Sequence, residues 1–469
     1  MGKITIDSRD IIWSYLGNFL KLSINVILLP IIIRFLSDEE LGMWYVFASI
    51  GQLIILLDFG FAPALARNIS YVWCGSSKLE KTSLQVVTNK ETDKEYFNIM
   101  LSTCKYIYMA IALIGMLLLM GLGTPYIMSL SNDSNFLLAW VIYTIGATLN
   151  ILYSYYASFL IGIGAIAENN ISGVVAKLIQ IVVSVTTLLL GYGLIGVSLA
   201  YLLSGVSLRL VSRYYFYNID AIRSLCSSVR IDDKFSKCWN VFKTVWHNAS
   251  RDGLVTVSNY LSTQANTLIC SSVIGLTSTG AYGLSLQISS IISTISSIPF
   301  ASVQPAMQEK NVKGEMEGSS KLFSTSMASF MISFITLSIL AIILLPVLLW
   351  LKPTLQISYI MFAVLLLNMA IYQIFHLSAS YISTFNVIPY SKAFIVSSIA
   401  TVLLSYVTAK YSSWGIWALI ISPLVVSLLY NAWKWPHYAI YGVIGTNLCD
   451  FIKSGIKDFK TNILLKLRK

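Results

Sequence analysis

Ionisable side chains lie within or just inside long apolar segments, where each needs a partner, a cavity or the membrane boundary. Lys21, Lys177, Arg209 and Arg213 carry positive charge, and Asp58 follows a run of leucines in the stretch LLDFGFAPALAR. Charged groups within a bilayer are costly and usually face a protein interior or a water-filled path. The excess of cations predicts an electropositive vestibule that binds an anion such as a phosphate or a diphosphate.

A second interpretation of these cations stays open. Long basic side chains near the end of a membrane helix extend their charged groups to the lipid headgroups without lining any cavity. This alternative is strongest for Arg213, which is closest to the end of its apolar segment. It is weakest for Lys21, because that lysine shares its helix face with two asparagines.

Asp58 has no obvious partner in its own segment. Arg67 follows nine residues later, which on a straight helix is about 13.5 Å of rise and half a turn away. Gly60 and Pro63 lie between them and predict a bend. By depth, Lys21 is the expected partner. Asp58 would balance that charge or bind a coupling ion, and the alternative is a neutral, hydrogen-bonded carboxyl group.

Polar residues repeat between the two halves of the chain. A shift of 238 residues superimposes the polar stripe of the first apolar segment on that of the seventh. In each segment the spacing puts the stripe on one narrow helix face, so both are expected to line a path. The stripes are Ser14, Asn18, Lys21 and Asn25 in the first half, and Asp252, Thr256, Asn259 and Thr263 in the second.

The elements that position these residues are membrane helices. The 469 residues are 56% hydrophobic and 11% charged, with a mean hydropathy of +0.73. Apolar runs of about 20 residues cross a bilayer as helices, so the sequence predicts an all-α polytopic membrane protein. We predict twelve spans, at 11–36, 42–66, 99–123, 136–163, 170–190, 193–217, 252–275, 279–305, 322–350, 356–383, 391–410 and 414–433.

The distribution of lysine and arginine predicts the orientation. Connections on the side of the N-terminus hold 25 of these residues, and those on the other side hold three. The positive-inside rule therefore puts both termini in the cytoplasm. The longest connection divides the spans six and six, which predicts an N-terminal bundle at 1–217, a cytoplasmic linker at 218–250, a C-terminal bundle at 251–433 and a cytoplasmic amphipathic tail at 434–469.

Several classes of function find no support in the sequence. The net charge of +11 reflects the positive-inside bias and attraction to membrane lipids, so it indicates no nucleic-acid partner. Motifs for nucleotide binding, nucleophilic catalysis and metal binding are missing. The six cysteines offer no external disulfide pair. We therefore expect no catalytic residue, no cofactor and no metal.

Two stretches resemble a known family. They are NFLKLSINVILLPIIIRFLSDEELGMWYVFASIGQLIILLDFGFAPALARNIS near the N-terminus and GYGLIGVSLAYLLS at residues 191–204. Together with the number of spans and the loop pattern, they resemble the polysaccharide repeat-unit flippases, or O-antigen transporters, of the multidrug/oligosaccharidyl-lipid/polysaccharide (MOP) exporter superfamily.

The resemblance implies two six-helix bundles around a V-shaped cavity, as in MATE transporters, in a bacterial inner membrane. It implies transfer of an undecaprenyl-diphosphate-linked glycan to the outer leaflet, coupled to H⁺ or Na⁺, beside the polysaccharide polymerase and chain-length machinery. The diphosphate would bind the cations of the cavity, namely Lys21, Lys177, Arg209 and Arg213. Only the resemblance identifies the glycan.

Two other functions are open alternatives. An ion-coupled multidrug or cation exporter of the same superfamily would need an acidic cavity, whereas Asp58 is the one acid well inside a predicted span. A polysaccharide polymerase would need a large external loop, and the predicted external loops are short.

Overall fold

The computed structural model describes residues 27–75, 92–226, 234–355, 357–385, 387 and 389–467, together with Trp13, Gly17 and Leu20. All regular secondary structure in these residues is helical. The chain divides into two compact units, Met1–Tyr260 and Leu261–Lys469.

The first unit contains eleven helices within the described residues, and the last of them continues a few residues past the division. A π-helical turn at Leu119–Gly123 joins the fourth helix to the fifth. The helices are α1 (27–35), α2 (Asp38–Leu57), α3 (Phe61–Trp73), α4 (Lys94–Leu118), α5 (Thr124–Leu130), α6 (Ser134–Leu152), α7 (Tyr155–Gly162), α8 (Ile166–Leu189), α9 (Gly193–Asn218), α10 (Asp220–Leu225) and α11 (Lys234–Thr263).

The second unit has the same all-helical character, with π-helical turns at Cys270–Ile274, Ser427–Asn431 and Tyr438–Ile444. Its helices are α12 (Ala265–Ile269), α13 (Leu276–Val312), α14 (Met316–Leu351), α15 (Tyr359–Ser383), α16 (Ser391–Tyr411), α17 (Ile416–Val426), α18 (Ala432–His437) and α19 (Leu448–Leu467).

Ten segments in the described part of the chain are long and apolar enough to cross a membrane. The prediction of an all-α, multi-pass membrane protein is therefore confirmed. The predicted span 11–36 lies largely outside the described residues. The predicted span 252–275 differs in its boundaries: α11 already begins at Lys234, inside the predicted linker, and ends at Thr263. Polar residues at the start of α11 lower the hydropathy of that part of the helix, so hydropathy alone does not reveal where the helix begins.

The bend predicted near Gly60 is a complete helix break. Helix α2 ends at Leu57, and the chain then turns with φ of 45° at Phe59 and 78° at Gly60. Glycine adopts this left-handed conformation without steric cost. Pro63 lies in the first turn of α3, where a missing N–H is tolerated. The break leaves the Asp58 backbone outside both helices.

Two glycines let α6 and α9 approach closely. A Cβ atom added at Gly146 of α6 would lie 2.9 Å from the Leu202 Cα of α9, and one at Gly205 would lie 3.5 Å from the Asn150 Cβ. Small residues permit such backbone contact between membrane helices. Asn150 follows Gly146 by one turn, and Arg209 follows Gly205 by one turn. The close approach of α6 and α9 therefore places Asn150 next to Arg209.

The starts of α2 and α9 are joined by one carboxylate. Glu40 Oε2 accepts a hydrogen bond from the Ser37 backbone N–H at 2.8 Å, and the Ser37 hydroxyl accepts one from Glu40 N–H, which forms a capping box. The other oxygen, Oε1, accepts from the Leu194 backbone N–H at 3.0 Å. Glu40 thereby holds the start of α9, the helix that carries Arg209, against the start of α2.

In the second unit, two contacts join the beginning of α14 to neighbouring helices. Lys310 near the end of α13 pairs with Glu315 before α14 at 2.7 Å. Helix α19 packs on α14, where the ring centroids of Phe451 and Phe323 are 5.2 Å apart. Described residues of the predicted cytoplasmic tail therefore form a helix that packs on the body of the second unit.

We expect Gly146→Ala to destabilise the protein by about 1–3 kcal/mol, because the added methyl group overpacks the α6–α9 contact. The unfolding midpoint of the purified protein in detergent, followed by size-exclusion chromatography after heating, measures the effect. Gly121→Ala is the matched control, because a Cβ at Gly121 meets no atom within 4 Å. Equal midpoints for the two variants would contradict the prediction.

Candidate functional site

A cavity of about 350 Å³ with both polar and apolar lining opens among α6, α8 and α9 of the first unit. Two of the predicted cations line it, Lys177 of α8 and Arg209 of α9. The structure thus brings together two residues that are 32 positions apart in the sequence. The remaining lining residues are mostly small or polar: Asn150, Ala157, Asn169, Gly173, Ala176, Gln180, Tyr201, Ser204, Gly205 and Leu208.

Arg209 is half-buried and is held through one of its five N–H groups. Its Nε donates to the backbone oxygen of Asn150 at 2.9 Å and to the Asn150 Oδ1 at 2.8 Å. Neither Nη group makes a hydrogen bond, and Arg209 forms no ion pair with any residue in the described ranges. The guanidinium therefore keeps four donors in a geometry that suits bidentate binding of phosphate.

Lys177 is also half-buried and has a neutral partner. Its Nζ donates to the Gln180 Oε1 at 2.9 Å, three residues along the same helix. An ammonium group has three donors, so this contact leaves two. Both cations of the cavity are oriented by amides, which fix the side chains without neutralising them.

Arg213 does not line this cavity. It is exposed one turn further along α9, with its guanidinium 5.9 Å from the centre of the Tyr217 ring, and it faces a separate groove with Arg223. The described members of the predicted cationic set are therefore divided between the cavity, which holds Lys177 and Arg209, and the groove, which holds Arg213.

Asp58 lies at the helix break, where it caps α3. Its Oδ2 accepts a hydrogen bond from the Ala62 backbone N–H at 3.2 Å. The other oxygen, Oδ1, is buried and has no hydrogen-bond partner among the described residues. Arg67 is exposed and makes no contact with Asp58, as the sequence predicted.

Tyr108 of α4 is the residue that sequence reasoning missed. Its side chain is fully buried, and its hydroxyl lies near both the Asp58 carboxyl group and Arg209, without a hydrogen-bond partner among the described residues. The hydroxyl of Ser154, between α6 and α7, lies beside it. Tyr108 thus lies between the acid at the helix break and a cation of the cavity. Its position in an apolar run gives no sign of this proximity, which depends on how three helices pack.

Some predicted residues lie outside the described ranges, namely Asn18, Lys21 and Asn25. A pairing of Lys21 with Asp58 therefore stays a prediction. Nearby Gly17 is described, and a Cβ added there would lie 2.9 Å from the Asn170 Cβ at the start of α8. The predicted path residues of the second half, Thr256, Asn259 and Thr263, are half-buried along α11.

The chain was compared with known sequences and structures. The profile of a family described as "Polysaccharide biosynthesis protein" matches residues 8–311. Curated protein sequences gave no match.

Solved structures gave several matches with the same fold. An inward-facing multidrug resistance MATE family transporter of the MOP superfamily has a TM-score of 0.65 at 12% identity, covering 89% of this chain and 93% of its own. Lipid II flippase MurJ, in an inward closed conformation, has a TM-score of 0.63 at 12% identity, covering 98% and 92%. A MOP superfamily transporter from Pyrococcus furiosus has a TM-score of 0.51 at 12% identity, covering 94% of each chain. At these identities the likeness is one of fold.

Proposed function

Because the chain belongs to the polysaccharide biosynthesis protein family, we propose that it is a flippase for an undecaprenyl-diphosphate-linked oligosaccharide repeat unit. It moves this lipid from the cytoplasmic to the outer leaflet of the bacterial inner membrane by alternating access. The product supplies O-antigen or another surface polysaccharide. A lipid II flippase has the same fold, which supports a lipid-linked cargo and a transporter that is not an enzyme.

The proposal rests on one observation: Arg209 and Lys177 share a cavity, and no described residue forms an ion pair with either of them. The diphosphate binds there, with the Nη groups of Arg209 clamping one phosphate and the ammonium group of Lys177 contacting the other. Lys21 belongs to the same proposed set on sequence grounds. A cavity of about 350 Å³ is at the lower end for ligand pockets, so it fits the headgroup and not a whole oligosaccharide.

Neutral polar groups around the two cations suit the first sugar. The amides of Asn150, Asn169 and Gln180 and the hydroxyl of Tyr201 line the cavity, and such groups bind sugar hydroxyls by hydrogen bonds. The polyprenyl tail stays in the bilayer. Along the rest of the route, the half-buried Thr256, Asn259 and Thr263 and the predicted stripe of Asn18 and Asn25 would contact the glycan.

The orientation and the domain plan are also part of the proposal. The lysine and arginine bias supports cytoplasmic termini, which puts the Arg213 end of α9 on the cytoplasmic side. Six-helix bundles at 1–217 and 251–433, with the linker at 218–250 and the tail at 434–469, would alternate access between the two leaflets. The polymerase and the chain-length machinery would receive the flipped unit.

Asp58 is the proposed coupling residue. A buried carboxylate oxygen without a hydrogen-bond partner is a position that a proton or a Na⁺ ion would occupy. Tyr108 lies near both Asp58 and Arg209, so it is the proposed link between ion binding at the helix break and the diphosphate in the anion cavity.

A multidrug or cation exporter is the competing function, because a MATE transporter has the same fold. A cavity that selects cations would present acidic groups to them, whereas the described residues that line the cavity among α6, α8 and α9 include two cations and no acid. The chemistry of this cavity therefore favours an anionic cargo.

We expect Arg209→Gln and Lys177→Gln each to reduce glycan export by about 10- to 100-fold, because each removes a charge-assisted hydrogen bond of about 1.5–3 kcal/mol. Surface polysaccharide of a deletion strain that expresses each variant, and flipping of the lipid-linked unit in proteoliposomes, measure the loss. Lys21→Ala is expected to abolish export as well.

Lys105→Gln is the matched control, because Lys105 is an exposed cation of α4 that lies outside the cavity. Immunoblots of the membrane fraction show that each variant is present. Normal surface polysaccharide in the Arg209→Gln strain would contradict the proposed site, and dye efflux by the wild type would favour the exporter.

We expect Asp58→Asn to remove the response of flipping to an imposed proton or sodium gradient, because the amide cannot bind either ion as a carboxylate does. Tyr108→Phe should weaken that response while it leaves some flipping. Flipping in proteoliposomes, with and without each gradient, measures both variants. Glu95→Gln, which removes an exposed acid paired with Lys237, should respond as the wild type does. Full gradient stimulation of Asp58→Asn would rule out coupling through this residue.

A further inference from the structure

A second cationic groove of about 380 Å³ lies at the end of α9, where the chain turns into α10. It is separate from the anion cavity, because the two share no lining residue. Its lining comes from the last three turns of α9 and from one residue of α10: Leu210, Arg213, Tyr214, Tyr217, Asn218 and Arg223.

The two arginines of this groove carry unneutralised charge. Arg213 and Arg223 are both exposed, and neither side chain forms an ion pair or a hydrogen bond with the described residues. The one close side-chain contact is between Arg213 and the Tyr217 ring, which orients the guanidinium and leaves its charge in place. Two such guanidiniums in one groove form a site for a phosphate group.

The same groove has an apolar side. Leu210 is 59% exposed and Tyr214 is 62% exposed, and both lie on α9, a segment able to cross the membrane. Leu210 precedes Arg213 by nearly one turn toward the middle of that helix. The surface is therefore apolar at Leu210, toward the middle of the helix, and both charged and aromatic from Arg213 and Tyr214 toward the helix end.

A molecule with a charged headgroup and an apolar chain would fit this arrangement of charged and apolar surface. Basic pockets at the cytoplasmic ends of membrane helices bind the headgroups of anionic lipids, and a tyrosine suits the boundary between water and hydrocarbon. A free phosphate ion would bind the arginines without contacting the apolar side of the groove. A phospholipid would contact both the arginines and the apolar side.

We propose that the Arg213–Arg223 groove binds the phosphate headgroup of an anionic phospholipid, with an acyl chain along Leu210 and Tyr214. The bound lipid is a component of the bilayer and not the transported cargo. It anchors the α9–α10 turn to the leaflet on that side, one turn beyond Arg209, and so supports the helix that carries the anion cavity.

The test is lipid binding by the purified, full-length protein in detergent, without any polyprenyl lipid. Native mass spectrometry with added phosphatidylglycerol or phosphatidylcholine gives the affinity for each. We expect the wild type to prefer phosphatidylglycerol. With about 1 kcal/mol for each basic residue, Arg213→Gln and Arg223→Gln should each weaken phosphatidylglycerol binding about 5-fold, and the double variant about 30-fold.

Lys243→Gln is the matched control, because Lys243 is an exposed cation of α11 outside the groove, and it should keep the preference. Should the double variant fail to fold, Arg223→Gln alone decides, because the Arg223 side chain is exposed and forms no hydrogen bond or ion pair with the described residues.

Unchanged phosphatidylglycerol binding in the folded variants would overturn the proposal. The proposal would also be overturned if inorganic phosphate displaced the bound lipid at the same concentration as added phosphatidylglycerol does. That result would identify a site for a free anion. Because no polyprenyl lipid is present, the outcome is independent of whether the protein is a flippase.

Discussion

The contact between Arg209 and Asn150 is the interaction on which the site depends. A guanidinium inside a membrane helix is tolerated only where polar groups satisfy it, and Asn150 supplies two oxygens to a single N–H. The glycines one turn away bring α6 and α9 close enough for this contact. The arginine is thereby fixed in direction while its other four donors remain available for a ligand.

Both ends of α2 are related to α9, the helix that carries Arg209. At its start, Glu40 caps its own helix and binds the first turn of α9 through Leu194. At its end, the helix breaks and places Asp58 near Tyr108, which also lies near Arg209. The two stretches that carried the family resemblance thus contain the partners of one contact, since Glu40 belongs to the first and Leu194 to the second.

Much of the fold follows from the sequence, because long apolar runs can satisfy their backbone within a bilayer only as helices. The all-helical fold was predicted from those runs and is confirmed, and the family resemblance is confirmed by the match over residues 8–311. The site was harder to predict. Hydropathy marks Lys177 and Arg209 as exceptional, but it gives no sign that they share a cavity, that Arg213 lies elsewhere, or that Tyr108 lies near Asp58. These facts depend on helix rotation and on close approach between segments distant in sequence.

The central claim is that the first unit holds the diphosphate of a lipid-linked glycan at Lys177 and Arg209. The most direct measurement is an experimental structure of the protein bound to an undecaprenyl-diphosphate-linked oligosaccharide. The account predicts phosphate oxygens about 3 Å from the Nη atoms of Arg209 and from the Nζ of Lys177. A diphosphate bound elsewhere, with only water in the cavity among α6, α8 and α9, would contradict it.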